Sequence, residues 1–284
     1  MHATVAPRSS LAQLRGMFAL LRPRQWVKNV FVFAPLIFAG EFLKLQSIEK
    51  VALAALIFCV ASSATYILND LTDIERDRRH PKKSKSRPLA SGLVSVTQAI
   101  TLLLILYVAL LAAWFVMPAV LYVVLGYLLL NLAYTFVLKH QPVIDIFTIA
   151  IGFVLRVYAG AMALSVPVSS WMFVTTLCLA LYFAAVKRGQ ELASNGSDSR
   201  EVLQHYTPAL IDRYAEMAAT GALLFYSLFV MTARPEMVMT IPLVLYGLYR
   251  YWFIVESKDC GESPTDALLG DWQLLLTVAI WGVV

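Results

Sequence analysis

Residues 51–77 have the sequence VALAALIFCVASSATYILNDLTDIERD, in which a long apolar run ends in a cluster of acids. The acids of this cluster are Asp70, Asp73, Glu75 and Asp77. On a helix, Asp70, Asp73 and Asp77 are spaced i, i+3 and i+7, so we expect them to share one face. Carboxylates at the end of an apolar span are costly without a partner, and a hard cation such as Mg²⁺ is the natural one. The stretch therefore predicts a membrane-spanning helix that ends in a magnesium site, where a diphosphate would also bind.

The composition is that of an integral membrane protein. Of the 284 residues, 60% are hydrophobic and only 14% are charged, and the mean hydropathy is +0.71. Soluble domains are roughly half apolar and a quarter charged. The apolar runs are about 20 residues long, as transmembrane helices require.

The apolar runs predict a single all-α domain over residues 1–284, with a flexible or interfacial segment at 1–20. We expect about nine transmembrane helices around a central cavity that opens to the cytoplasmic side. The predicted spans are roughly 26–43, 50–69, 96–115, 119–138, 144–163, 169–187, 214–233, 237–255 and 266–284.

Basic residues are distributed unevenly between the two ends of the predicted bundle. Nineteen of the 23 Lys and Arg residues lie on one side, three lie on the other, and Arg156 falls inside the fifth span. Because cytoplasmic loops carry the excess of Lys and Arg, we expect the rich side to be cytoplasmic. The polar motifs would then face the cytoplasm from a plasma membrane, where phosphorylated metabolites and Mg²⁺ are found. We expect no nucleic-acid partner.

A basic segment, RDRRHPKKSKSRP at residues 76–88, follows the acids directly. Pro81 should end any helix, so a loop is expected from there to Arg87. Its cations Lys83, Lys85 and Arg87 are candidates for closing over a metal-bound diphosphate. A solvated cytoplasmic loop, or a patch for anionic lipid, is the alternative for the lysines.

Two further polar motifs lie at ends of predicted spans. Lys187 and Arg188 at the end of the sixth span are candidates for binding phosphate oxygens, with Glu191 nearby. A structural pair between Lys187 and Glu191, which are i, i+4 neighbours, is the alternative. The hairpin between the fourth and fifth spans contributes further candidate substrate ligands, which with Arg156 would line the rest of the polar chamber: Tyr134, Lys139, His140 and Asp145.

Two other features have open interpretations. Arg156 lies about three turns into the fifth span, where it should face a polar cavity or form an ion pair with an acid of the bundle. The segment RPRQWVKN at residues 22–29 is either an interfacial anchor or a contact for a lipid phosphate, with Lys28 or Arg24 as the candidate ligand.

The pattern Asn-Asp-x-x-Asp-x-x-x-Asp from Asn69 to Asp77, followed by RPLASG at residues 87–92, resembles the UbiA superfamily of intramembrane prenyltransferases. The resemblance implies nine helices around a central cavity, and a first acidic motif that binds Mg²⁺ and diphosphate. Members that transfer a prenyl group carry a second motif, Asp-x-x-x-Asp, near the end of the sixth span. This chain has Phe183-Ala184-Ala185-Val186-Lys187 there instead.

The replacement of acids by cations is similar to the decaprenyl-phosphate phosphoribosyltransferase branch of that superfamily. Further similarity lies in RPRQWVKN (22–29), LKHQ (138–141), the residues around Lys187 to Leu192 and those around Arg250. The branch implies a Mg²⁺-dependent enzyme that moves 5-phosphoribosyl from phosphoribosyl diphosphate (PRPP) onto a polyprenyl phosphate. Its product would feed arabinose-type sugar donors of the cell envelope. A homo-oligomer is possible.

The resemblance also implies roles for individual residues. Asp70, Asp73 and Asp77 would hold the metal, and Asn69 would fix ribose or phosphate. Asp73, Asp77 and Lys187 are the expected catalytic residues. Two alternatives stay open: a prenyltransferase acting on an aromatic acceptor, which the missing second acidic motif argues against, and a non-enzymatic lipid-phosphate carrier, which leaves the acids unexplained.

Overall fold

The computed structural model describes residues 10–79, 83–195, 201–258 and 270–283, and within them the chain is helical, without strands. The α-helices are α1 (Ser10–Leu20), α2 (Ala34–Phe38), α3 (Leu45–Thr72), α4 (Ile74–Arg79), α5 (Lys83–Ser86), α6 (Val96–Trp114), α7 (Pro118–Phe136), α8 (Ile144–Leu164), α9 (Ser170–Asn195), α10 (Pro208–Ala233), α11 (Ile241–Lys258) and α12 (Trp272–Val283). Four 3-10 helices in the described residues cover Pro23–Phe33, Leu138–His140, Glu201–His205 and Pro235–Thr240.

Seven helical segments in the described residues are long and apolar enough to cross a membrane. They are Leu45–Thr72, Val96–Trp114, Pro118–Phe136, Ile144–Leu164, Ser170–Ala193, Pro208–Ala233 and Pro235–Ser257, which match the second to eighth predicted spans. The prediction of an all-helical, multi-pass membrane protein is therefore confirmed. The predicted ninth span is described only as the short apolar helix Trp272–Gly282, so a count of nine stays a prediction.

The first predicted span, 26–43, is not a regular transmembrane helix. It begins inside the 3-10 helix Pro23–Phe33, continues as the five-residue α2, and leaves helical structure before Gly40, whose φ is +72°. Polar side chains tie this 3-10 segment to α3: Trp26 Nε1 donates to Ser63 Oγ (3.0 Å), and Asn29 Nδ2 lies 3.1 Å from Cys59 Sγ. We attribute its irregular path to these bonds, which fix the segment against its neighbours.

Helix α8 lies at the centre of the bundle, packed against α3, α7, α9 and the 3-10 segment. Gly160 permits the closest of these approaches, because a Cβ atom there would stand 1.9 Å from the carbonyl oxygen of Val32. Helix α6, by contrast, leaves large apolar side chains such as Leu104, Val108 and Leu111 exposed, as a lipid-facing helix does.

Four helix ends that carry polar residues meet on one face of the bundle. Thr135 near the end of α7 contacts Asn69 near the end of α3, while the neighbouring Tyr134 contacts Arg188 near the end of α9. Arg188 also contacts Asp145 in the first turn of α8. The antiparallel arrangement of these helices thus gathers most of the predicted site residues into one region.

Candidate active site

The acidic motif spans a break between two helices and keeps helical hydrogen bonding across it. Helix α3 ends at Thr72, and Asp73 caps it with φ −99° and ψ 8°. The Asp73 amide still donates to the Asn69 carbonyl (3.0 Å), and the Asp77 amide donates to the Asp73 carbonyl (2.9 Å). The i, i+4 connections of the motif therefore survive, although the predicted continuous helix does not.

Asp70 is the most tightly bound acid of the motif. Its side chain is only 3% exposed, and its Oδ1 atom accepts hydrogen bonds from both Arg22 and Arg87. Its other oxygen, Oδ2, is buried and has no hydrogen-bond partner among the described residues. A buried carboxylate oxygen without a donor is unusual and calls for an explanation.

The other two carboxylates of the motif are each paired with different cations. Asp73 accepts from Arg76 (3.1 Å) and lies 3.5 Å from the ammonium of Lys139. The buried Asp77 lies 3.6 Å from the ammonium of Lys83. Five cations thus contact three carboxylates, which leaves this region with an excess of positive charge.

The predicted set of metal ligands does not converge in this geometry. Among the residues that the structure describes, no three Asp, Glu, His or Cys side chains stand close enough to hold a metal ion together. Each of Asp70, Asp73 and Asp77 is paired with different cations in this structure. The donor chemistry nevertheless fits Mg²⁺, because the motif offers hard carboxylate oxygens and one of them, Asp70 Oδ2, has no partner within the part of the chain that the structure describes.

A second polar cluster is centred on Arg188, whose side chain is fully buried. Its guanidinium donates to Asp145 Oδ2 (2.6 Å), to Glu191 Oε2 (2.6 Å) and to Tyr134 Oη (3.1 Å). Arg188 was expected to bind phosphate directly, but here it joins α7, α8 and α9. A fully buried guanidinium that is bonded to two carboxylates holds the surrounding helices together, and phosphate binding by Arg188 stays a prediction.

Lys187, next to Arg188, has a different environment. Its side chain is 32% exposed, and its ammonium lies 3.8 Å from Glu191 Oε1. The structural pair considered as the alternative is thus present, in a loose form. The Lys187 side chain is therefore partly accessible, while the adjacent Arg188 is held in its buried network.

Tyr206 completes the Arg188 cluster and supports a strained turn. Its hydroxyl donates to Asp145 Oδ1 (2.8 Å) and accepts from the amide of Val143 (2.6 Å). Val143 has φ +68°, an unfavourable conformation for a β-branched residue. Burial raises the pKa of the Tyr206 phenol and the Asp145 carboxylate raises it further, outweighing the Val143 hydrogen bond, so the phenol stays protonated.

Arg156 lies apart from both clusters and contacts no acid among the described residues. Its guanidinium donates to Asn29 Oδ1 (2.8 Å), to the Gly152 carbonyl (2.6 Å) and to Tyr127 Oη (3.3 Å). It also lies 4.9 to 5.4 Å from the ring centres of Phe58, Tyr127 and Phe153. The alternative, an ion pair within the bundle, is not formed among the described residues: aromatic faces and neutral acceptors surround this charge instead.

The remaining predicted ligands differ in exposure. Lys28 is half-buried in the 3-10 segment, whereas Lys85 and His140 are exposed. The predicted basic loop contains the single-turn helix α5, and its His80, Pro81 and Lys82 lie outside the described residues.

Sequence reasoning assigned no role to several residues that the structure brings into the site. Arg22 contacts Asp70, Thr135 contacts Asn69, and Tyr206 contacts Asp145. Arg22 opens the RPRQWVKN segment and Thr135 follows Tyr134 directly, so both could have been predicted as site residues from their neighbours in the sequence. Tyr206 follows a polar connection and carries no comparable pattern.

Comparison with known proteins relates the whole bundle to one family. The family model described as the UbiA prenyltransferase family matches residues 30–268. The decaprenyl-phosphate phosphoribosyltransferase of Mycobacterium tuberculosis is 35% identical over 94% of this chain and 91% of its own length. That of Corynebacterium glutamicum is 33% identical over 97% of this chain and 86% of its own.

Solved structures give the same fold. A UbiA homologue from Archaeoglobus fulgidus bound to GPP and Mg²⁺ superposes with a TM-score of 0.74 at 22% identity, covering 94% of this chain and 97% of that one. The matched family model, the two relatives above 30% identity and the acidic motif at the end of α3 agree. This chain belongs to the UbiA prenyltransferase family.

Proposed function

We propose that this protein transfers the 5-phosphoribosyl group of PRPP to a polyprenyl phosphate and releases diphosphate. The observation that carries the proposal is the charge of the site. Five cations contact the three carboxylates of the acidic motif, and α9 carries the adjacent cations Lys187 and Arg188 in its last third. Such a surplus suits two phosphorylated substrates better than one. The names of the relatives at 33–35% identity support the same pair of substrates.

In the proposed reaction a phosphate oxygen of the lipid forms a bond to C1 of the ribose. The bond from C1 to the diphosphate oxygen breaks, and its electron pair leaves with the diphosphate. Because the attacking phosphate is already ionised, little general-base help is needed. The protein would act by positioning the two substrates and by stabilising the departing charge.

The acidic motif and the basic arm would serve the diphosphate. Asp70, Asp73 and Asp77 would hold Mg²⁺, which when bound neutralises charge on the leaving group. Lys83 and Arg87, which already contact Asp77 and Asp70, would supply cations to the same diphosphate. Lys85 would join them from the exposed face of α5.

The second cluster and the hairpin would serve the remaining phosphates and the ribose. Lys187 would bind a phosphate group, with Glu191 orienting the Lys187 ammonium. The pair of Arg188 and Asp145 would hold α9 against α8. Four residues would surround the ribose: Asn69, Tyr134, Lys139 and His140. Lys28 would lie near the lipid phosphate. Arg156, which donates to Asn29, would support the segment that contains Lys28.

The site would face the cytoplasm from the inner membrane of a bacterium. The uneven distribution of Lys and Arg between the two ends of the bundle supports the cytoplasmic orientation. PRPP is a soluble, charged metabolite and would reach the site from that side, while the lipid would arrive within the membrane. The product would feed arabinose-type donors for cell-envelope glycans.

The direct test is transfer by the purified protein. Protein in nanodiscs is given Mg²⁺, radiolabelled PRPP and decaprenyl phosphate, and the organic phase is analysed for a labelled phosphoribosyl lipid. A parallel reaction contains a prenyl diphosphate and a small phenolic acid. We expect labelled lipid and free diphosphate in the first reaction only. Product in the second alone would establish the aromatic prenyltransferase, and binding without diphosphate release would establish a carrier.

Two isosteric substitutions within the motif separate its roles. Asp73→Asn removes a proposed metal ligand and should reduce transfer by about 100-fold or more, the scale of a lost electrostatic contact to the reacting groups. Glu75→Gln is the matched control, because Glu75 is 73% exposed and its ion pair among the described residues is a local one, with Arg78 at i+3. Its transfer rate should stay near that of the unmodified protein. Equal loss in both variants would remove Asp73 from the metal site.

A further inference from the structure

Arg22 lies at the entrance to the 3-10 segment and is held there by an unusual backbone. Its φ is 51° and its ψ is 59°, in the left-handed region that non-glycine residues adopt at a cost in conformational energy. The turn is fixed on both sides: the Leu21 carbonyl accepts from Ser63 Oγ (2.8 Å), and Trp26 donates to that same hydroxyl. Two bonds to α3 thus support a strained residue whose side chain reaches the acidic motif.

Contacts with α3 also fix the direction of the Arg22 side chain. Its guanidinium lies 4.8 Å from the centre of the Tyr66 ring, one turn before Asp70 on α3. It donates to Asp70 Oδ1, the same oxygen that accepts from Arg87. Arg22 and Arg87 therefore approach one carboxylate oxygen from two different segments of the chain.

The two oxygens of the Asp70 carboxylate have different environments. Each carboxylate oxygen offers about two acceptor positions, and two arginines occupy both positions of Oδ1. Oδ2 is buried without a partner among the described residues. The arginines thus fix the plane of the carboxylate and leave one defined oxygen for a further ligand.

We infer that Arg22 is a positioning residue that, with Arg87, turns Asp70 so that its Oδ2 atom is presented to a divalent cation. The inference rests on the proposed function only in taking Asp70 as a metal ligand. Carboxylates that bind metals are commonly oriented by hydrogen bonds from a second layer of residues, and losing such a partner lowers metal affinity.

The test measures metal binding without turnover. Mn²⁺ is titrated into the full-length protein in detergent, and free Mn²⁺ is followed by electron paramagnetic resonance. Arg22→Gln should weaken Mn²⁺ binding by roughly 10-fold or more, the range found for lost outer partners of metal ligands. Arg15→Gln removes the same charge from the exposed face of the neighbouring α1 and should leave the affinity unchanged.

A double-mutant cycle separates positioning from general damage. In an Asp70→Asn background, Arg22→Gln should have no further effect on Mn²⁺ affinity, because both changes act through one carboxylate. Arg22→Lys, which keeps the charge but loses the planar donor geometry, should fall between the unmodified protein and Arg22→Gln. Thermal unfolding of each variant identifies any that fails to fold.

Three results would overturn the inference. Tighter Mn²⁺ binding by Arg22→Gln would mean that Arg22 competes with the cation for Asp70. Unchanged binding, or additive effects in the cycle, would leave Arg22 with a structural role alone. Failure of PRPP transfer with a preserved Arg22–Asp70 coupling would instead reject the proposed substrates and keep the positioning role.

Discussion

At position 160 the absence of a side chain decides how closely the 3-10 segment can approach α8. The Val32 carbonyl oxygen would lie 1.9 Å from a Cβ atom at this position, and the carbonyl carbon 2.9 Å from it. Both neighbours are backbone atoms, so no rotamer change can make room. The same segment carries Arg22 and Asn29, which means that a packing change here reaches the proposed site.

Gly160→Ala should therefore destabilise the protein by about 1–3 kcal/mol, the usual cost of overpacking a tight interface, or prevent folding. Gly126→Ala in α7 is the matched control, because its Cβ atom would meet nothing within 4 Å. It adds the same methyl group and should be neutral or slightly stabilising, since alanine favours a helix. Thermal unfolding of the two variants in the same detergent measures both effects. Equal melting temperatures would contradict the close approach.

Residue spacing predicted the acidic motif itself but not the distant residues that pair with the acids of the site. The i, i+3, i+7 positions of Asp70, Asp73 and Asp77 could be recognised because helical periodicity is local. The pairing of Asp70 with Arg22 joins residues 48 apart in sequence, and that of Asp145 with Tyr206 joins residues 61 apart. Such contacts depend on how helices pack, which a single sequence does not encode in any short pattern.

The end of α9 shows that two adjacent cations on one helix can have different roles. Helical geometry points neighbouring residues about 100° apart, so Arg188 faces the interior of the bundle while Lys187 stays partly exposed. In the sequence they look alike because they are contiguous. The packing of α9 against α8 and α10 is what separates them.

Alanine substitutions at these two positions should separate stability from transfer. Arg188→Ala leaves the buried Asp145 without its guanidinium and should destabilise the protein by about 3–5 kcal/mol. Lys187→Ala removes a half-exposed, loosely paired ammonium and should change stability by less than about 1 kcal/mol. It should still slow PRPP transfer by about tenfold or more, if the ammonium binds a phosphate.

The two measurements are thermal unfolding and the transfer assay, run on the same preparations. A stable Lys187→Ala protein with full transfer would show that Lys187 only ends the helix. A stable Arg188→Ala protein would show that the buried network is dispensable. Tyr206→Phe, which keeps the ring and removes the donor to Asp145, should cost about 1–3 kcal/mol and serves as a milder probe of the same network.

At the scale of the whole molecule, the spans could be predicted and the entry segment could not. Seven predicted spans appear as long helices because each is a continuous apolar run. Parts of residues 26–43 are as apolar as those spans, yet the segment begins in a 3-10 helix. Its Trp26 and Asn29 make side-chain hydrogen bonds to α3. Apolar content alone does not distinguish a helix that crosses the bilayer from a segment fixed within the bundle.

The orientation of the bundle is the remaining whole-molecule prediction, and it can be tested by cysteine labelling in intact cells. All native cysteines (Cys59, Cys178 and Cys260) are first replaced. Gln141→Cys then marks the polar end of the bundle, in the exposed hairpin between α7 and α8, and Val116→Cys marks the opposite end, in the turn between α6 and α7. A membrane-impermeant maleimide should label Val116→Cys in intact cells. It should label Gln141→Cys only after the cells are opened.

This outcome follows from the Lys and Arg bias, because the polar end carries the basic residues that are retained in the cytoplasm. It also decides whether the proposed chemistry is accessible: a site that uses PRPP must open to the compartment that contains PRPP. Labelling of Gln141→Cys in intact cells, with Val116→Cys protected, would place the acidic motif outside the cytoplasm. The proposed donor would then have no route to Asp70 and Asp73, and the transfer reaction would fail in cells even if purified protein performed it.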